Sequence, residues 1–193
     1  VGIGEGQATA SPGGDFVQEN KTRTYLFYGP QGSGKSLMVR ALASECRAMV
    51  LDISPYVVAD NFTEKKRITE LMYIVFKVAK EYQPAIILID ECEHYFPSKA
   101  AKKKSKKGPP QAGRCQKFKK DLVAQVKKHL VPEDRVAIIC CTNRPWLLNP
   151  PECKKFFLEK FYFPYPDYHA RQYLFKNLVK EHNISLNDSF PIG

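Results

Sequence analysis

The segment Gly29-Pro30-Gln31-Gly32-Ser33-Gly34-Lys35-Ser36 follows a short apolar run, Thr24-Tyr25-Leu26-Phe27-Tyr28, and opens a helical stretch at residues 35–46. Its glycines let the backbone curl so that successive N–H groups point at one spot, and the following helix adds its positive N-terminal end there. The segment satisfies G-x-x-x-x-G-K-[ST] in full, between a strand and a helix as that motif requires. Lys35 supplies a movable cation for β- and γ-phosphates, and the Ser36 hydroxyl is a ligand for Mg²⁺. A strand that feeds such a loop and then a helix commits the chain to strand–helix alternation.

The rest of the chain keeps to that alternation. Residues 48–53 lead into a helix at 64–82, with Ile68, Leu71, Met72, Val75, Val78, Ala79 and Tyr82 on one face. Ala85-Ile86-Ile87-Leu88-Ile89 is apolar without alternation, the pattern of a strand covered on both faces. A helix at 114–130 carries Phe118, Leu122, Val126 and Leu130. Residues 135–141 read as a fourth strand and 161–163 as a fifth. Asp167 caps a last helix running to about His182, with Tyr173, Leu174 and Leu178 expected inward. The fold class is therefore α/β, a five-stranded parallel sheet with helices on both faces, whose ligands sit beyond the carboxyl ends of the strands. Residues 1–23 read as a linker or flexible arm, 24–166 as the α/β body with a lysine-rich insertion at 98–113, and 167–193 as the start of a helical addition.

Two further constellations belong to the phosphate loop. Asp90-Glu91 follows the third strand directly, so Asp90 is placed to hold Mg²⁺ through water and Glu91 to orient or deprotonate an attacking water. The fourth strand ends in Cys140-Cys141-Thr142-Asn143-Arg144-Pro145, where the Asn143 amide is expected near the γ-phosphate. The expected nucleotide-binding set is Gly29, Pro30, Gln31, Gly32, Ser33, Gly34, Lys35, Ser36, Leu37 and Asp90. The metal is expected on Ser36 and Asp90, and the catalytic residues are Glu91 and Asn143.

Composition narrows the remaining choices. The net charge of +10 is local: residues 99–120 carry ten basic side chains and no acid, and the remainder balances at 20 of each sign. Such a stretch creates a field that acidic partners feel. Aromatics do not interleave with the lysines, so base readout of nucleic acid is not expected. The six cysteines form no C-x-x-C pair, which suits neither a zinc site nor a disulfide framework and points to a reducing compartment. No apolar run approaches the roughly 20 residues of a membrane span. The chain starts at Val1 without a signal-peptide pattern, and reads as a piece of a longer, non-secreted protein.

With these sites in order, the chain resembles the AAA+ ATPases, P-loop NTPases, over residues 24 to about 182. The resemblance places the family's phosphate loop at 29–36, its acidic motif at Asp90-Glu91 and its first sensor at Asn143. It implies the sheet order 5-1-4-3-2, ATP and Mg²⁺ as ligands, and a helical lid largely missing after residue 167. A closer resemblance is to the IQ-motif and AAA-domain proteins, subunits of the nexin–dynein regulatory complex in motile cilia. It is carried by Asp52-Ile53-Ser54-Pro55, Val75-Phe76-Lys77-Val78-Ala79, Phe118-Lys119-Lys120-Asp121-Leu122, Pro132-Glu133-Asp134-Arg135-Val136 and Pro164-Tyr165-Pro166-Asp167-Tyr168. It implies a cytoplasmic, cytoskeletal site in the cilium or flagellum. The partners it implies are other axonemal subunits, neighbouring AAA+ subunits, and an acidic tubulin surface facing residues 99–120.

The chain departs from the family pattern in two places. Where the family has an arginine-rich stretch after the first sensor, this chain has Pro151-Glu152-Cys153-Lys154-Lys155-Phe156-Phe157, without arginine. An arginine finger is worth about 10³–10⁵ in rate, and lysine lacks its planar fork. Asn61-Phe62-Thr63-Glu64 keeps the pore-loop aromatic but not the glycine. The expectation is an ATP-binding AAA+ module with slow hydrolysis. The rivals are a silent scaffold stabilised by nucleotide and a small-molecule P-loop kinase.

Overall fold

Every residue of Ala85–Ile89 is buried, and this run forms the third of five parallel strands. The structure, a computed structural model, describes residues 23–59, 65–98, 111–131 and 133–182. Strands β1 (Thr24–Tyr28), β2 (Met49–Asp52), β3 (Ala85–Ile89), β4 (Val136–Thr142) and β5 (Glu159–Tyr162) lie in the order β2-β3-β4-β1-β5. That is the order 5-1-4-3-2 expected above. The register sets Tyr28 beside Thr142 and Ile89 beside Cys140, so β1, β3 and β4 end together at one edge.

Helices α1 (Lys35–Glu45), α2 (Pro55–Ala59), α3 (Lys65–Glu81), α4 (Gln111–His129), α5 (Pro150–Phe156) and α6 (Tyr168–Glu181) complete the described elements, with 3₁₀ turns at Cys92–His94 and Pro145–Leu147. The alternation of side chains along each strand builds two cores. On one face Leu26, Ile87, Ile89, Ile138 and Cys140 pack with α3 and α4. On the other, Phe27, Ile86, Leu88, Ile139 and Cys141 pack with Val39 and Ala43 of α1. Phe118, Leu122 and Val126 of α4, and Leu130 directly after it, are all buried as expected, each contributing about 1.5–3 kcal/mol by removal from water.

Several sequence expectations change. Tyr82 lies outside the buried face of α3, which is completed instead by Phe76. The last strand starts at Glu159 rather than Phe161; as an edge strand exposed throughout, it lacks the alternation that marks a boundary. Tyr173, Leu174 and Leu178 of α6 are exposed, at 67%, 45% and 52%, not inward. The expected pore loop at 61–64 and the lysine-rich residues 99–110 lie outside the described residues, as do 1–22 and 183–193. No helix among the described residues is long and apolar enough to cross a membrane.

Candidate nucleotide site

The loop between β1 and α1 is fixed from both ends. The Gly29 N–H donates to the Thr142 carbonyl at 3.3 Å, and the Phe163 N–H donates to the Tyr28 carbonyl at 2.8 Å. Gly29 is packed so closely that a Cβ there would lie 2.0 Å from the Phe163 carbonyl oxygen, which no side chain tolerates. At the other end Gly34 caps α1 with φ 86°, a left-handed conformation that favours glycine.

Lys35 is only 5% exposed. Its Nζ donates to the carbonyls of Pro30 at 2.7 Å and Gly29 at 3.0 Å, and to Ser33 Oγ at 3.2 Å. Burial pulls its ammonium below the ordinary lysine range, against the opposing pull of Cys141, Asp90 and Glu93. The cation is thus held over the loop by neutral acceptors, which phosphate oxygens outcompete as charged ones.

Ser36 Oγ donates to Asp90 Oδ2 at 2.7 Å, joining the start of α1 to the end of β3. Asp90 Oδ1 accepts from the Glu91 N–H at 2.9 Å, and the Asp90 N–H donates to Ser54 Oγ at 2.7 Å. Ser54 is fully buried, and both its N–H and its hydroxyl donate to Asp52 Oδ1. A hydroxyl beside a carboxylate is a hard-oxygen pair. It fits Mg²⁺, which takes one or two protein ligands together with water and substrate phosphates. Accordingly a cluster of three or more metal-ligating side chains is not required, and none occurs among the described residues.

A cleft of about 300 Å³ is lined by Gln31, Gly32, Gly34, Lys35, Ser36, Leu37, Asp90 and Asn143. Three segments distant in sequence, 31–37, Asp90 and Asn143, therefore supply one concavity. Gly29, Pro30 and Ser33 do not line it; they hold the loop and Lys35 from behind. Glu91 is also absent from the lining. Its backbone is left-handed (φ 49°), its side chain is exposed, and its Oε2 lies 3.7 Å from His94 Nε2.

Sequence reasoning missed the framework behind the cleft. Ser54 and Asp52 brace Asp90, and buried Glu93 accepts a 2.6 Å hydrogen bond from Thr142 Oγ1. An acid at 93 flanked by Cys92, Tyr95 and Phe96, all buried, was the available signal. Three buried cysteines near this framework are not nucleophiles. Burial pushes the Cys92 and Cys141 thiols up, and that of Cys153 up to about 11, which leaves no thiolate nucleophile among them.

A glycine-rich loop between β1 and α1, facing an acidic strand end at the carboxyl edge of a parallel sheet, defines the P-loop nucleotide-binding class of α/β proteins. Within that class the chain matches, over residues 25–165, the ATPase family associated with various cellular activities (AAA), and it belongs to that family. It is 26% identical over 176 residues to mouse Dynein regulatory complex protein 11, covering 89% of this chain and 20% of that one. It is 29% identical over 163 residues to Spastin of Ixodes scapularis, covering 84% and 24%. The chain thus spans about a fifth to a quarter of these relatives. Its fold is similar to that of the FIGL-1 AAA domain, solved in complex with ADP, with a TM-score of 0.65 at 23% identity over 82% of this chain and 49% of that one.

Proposed function

We propose that this chain binds Mg·ATP in the cleft and hydrolyses it slowly, as a module of an axonemal subunit of the nexin–dynein regulatory kind. The observation that carries the nucleotide reading is the Ser36–Asp90 hydrogen bond in the cleft that Lys35 and Asn143 also line. The loop N–H groups and Lys35 hold the phosphates, and Ser36 and Asp90 hold the metal. When bound, Mg²⁺ neutralises charge on the phosphate oxygens. Asn143 orients the attacking water through its amide. Glu91 accepts the water's proton once its carboxylate exchanges His94 for the water. The axonemal assignment is supported by the likeness to Dynein regulatory complex protein 11 across 89% of the chain.

Partners follow from the same reading: other axonemal subunits, neighbouring AAA+ subunits, and an acidic tubulin surface meeting residues 99–120. Within that stretch Lys119 is already paired with Glu152, so among its described side chains Lys120 is the more exposed cation. A second reading, a silent scaffold stabilised by nucleotide, is favoured by the position of Glu91 outside the cleft lining and by the absence of arginine from residues 151–157.

Glu91→Gln decides between the two. Hydrolysis predicts that this variant loses turnover by about 10²-fold or more, the scale of a general base, with nucleotide binding retained. Turnover of the unaltered protein no higher than that of Glu91→Gln, measured by phosphate release, leaves only the scaffold reading.

A further inference from the structure

Glu93 is 7% exposed, an ionisable side chain buried behind the cleft with no place in the nucleotide-binding set. Its Oε2 accepts from Thr142 Oγ1 at 2.6 Å, and that same Oγ1 accepts from the Arg144 N–H at 3.0 Å. A hydroxyl has one proton and two lone pairs, so giving the proton to a carboxylate leaves it an acceptor and fixes its rotor. The relay Arg144 N–H, Thr142 O–H, Glu93 carboxylate therefore bridges the backbone on either side of Asn143. Thr142 is completely buried, and its carbonyl accepts the Gly29 N–H that opens the phosphate loop. One residue thus touches the turn after Asp90-Glu91, the segment holding Asn143, and the first residue of the loop.

We propose that Glu93 and Thr142 form a positioning pair that sets Asn143 relative to the phosphate loop and the acid pair. An apolar pair would pack the same space, but it would not fix the turn at residue 143 or tie it to the turn after residue 91. A charged acceptor makes the bond shorter and stronger than a neutral one, which suits a contact whose task is direction. The role in turnover rests on the hydrolysis proposed above, whereas the positioning itself is measurable without it.

Two readouts test the pair. In steady-state kinetics, Thr142→Val and Glu93→Leu are each expected to lower kcat by about tenfold or more, the scale of one hydrogen bond to a charged group, with KM and ATP affinity little changed. Thr142→Ser and Glu93→Gln, which keep a hydroxyl donor and a carbonyl acceptor, are expected to restore most of that loss. The double variant Glu93→Leu/Thr142→Val is expected to be no worse than the poorer single one, as for two ends of one contact. Losses that multiply, or that appear equally in ATP affinity, overturn the pair as a positioning device.

The second readout is hydrogen exchange without nucleotide. Glu93→Leu is expected to speed exchange of the Arg144 amide, which Glu93 does not itself touch, and Glu93→Gln to leave it protected. Unchanged exchange in Glu93→Leu overturns the proposal whether or not the chain hydrolyses ATP. Absent turnover in the unaltered protein with accelerated exchange in Glu93→Leu overturns the hydrolysis reading alone.

Discussion

Gly29→Ala is expected to cost about 3 kcal/mol or more of folding stability, at the upper end of overpacking penalties. The added Cβ would lie 2.0 Å from the carbonyl oxygen of Phe163, and backbone rather than a flexible side-chain tip is in the way. That backbone is itself tied, because the Phe163 N–H donates to the Tyr28 carbonyl at 2.8 Å and the Gly29 N–H to the Thr142 carbonyl at 3.3 Å. Relief requires the exit of β5 to move away from β1, or the loop to lift off β4. Gly32→Ala is the comparison: its Cβ meets nothing within 4 Å, and only its φ of 80° opposes substitution, a cost of about 1–2 kcal/mol. Urea unfolding of the two variants shows how much the close approach of Phe163 adds to torsional cost, which both glycines carry. Equal losses would mean that Gly29 is not held against Phe163 as described.

Lys35→Met is expected to remove nucleotide binding while leaving the fold nearly as stable as before. The ammonium is 5% exposed, and its hydrogen bonds run to two loop carbonyls and the Ser33 hydroxyl. Its depressed pKa, caused first by burial, shows that the charge is held at a cost to the fold. The sign follows from linkage. The unfolded chain holds this proton more tightly than the folded one, so the cost is fully present below the folded pKa. It is relieved as pH climbs from that value towards the ordinary lysine range. Methionine matches the stem and removes the buried charge with its desolvation cost, which offsets the hydrogen bonds lost by the Gly29 and Pro30 carbonyls. The phosphates lose about 3 kcal/mol or more of charge-assisted hydrogen bonding, a hundredfold or greater loss of affinity. Thermal melts and fluorescent-nucleotide titration of the same sample check both halves. Loss of fold along with binding would show that Lys35 is a structural cation first.

How much of this was readable before the structure depends on the kind of signal each residue leaves. The buried strands were legible because a parallel strand covered on both faces must be apolar throughout, as Ala85–Ile89 is; their order was not, and came only from the family resemblance. α4 was legible because Phe118, Leu122 and Val126, with Leu130 just beyond its end, repeat at four-residue spacing on one buried side. α6 shows the limit of the same logic. Tyr173, Leu174 and Leu178 form a stripe that asks for cover, but periodicity does not say which segment supplies it.

The cleft itself was largely legible, since Lys35, Ser36, Asp90 and Asn143 all lie in or beside motifs with strand and helix context. Glu91 was legible as an acid but not as an exposed one: a left-handed φ of 49° turns it toward His94, and nothing local in the sequence marks that bend. The Glu93–Thr142 bond joins residues 49 positions apart through one hydroxyl. Such a contact has no periodicity and no spacing rule, so it emerges only once β3 and β4 are set side by side.

On the proposed function, the bend from Gly29 to Ser36, completed by Asp90, is a seat for a magnesium-bound triphosphate. Isothermal titration of ATP with Mg²⁺ into the folded protein tests it most directly. The expected result is a saturable one-to-one isotherm that weakens without Mg²⁺ and disappears in Lys35→Met. A flat trace from protein shown to be folded by circular dichroism in the same buffer would contradict it.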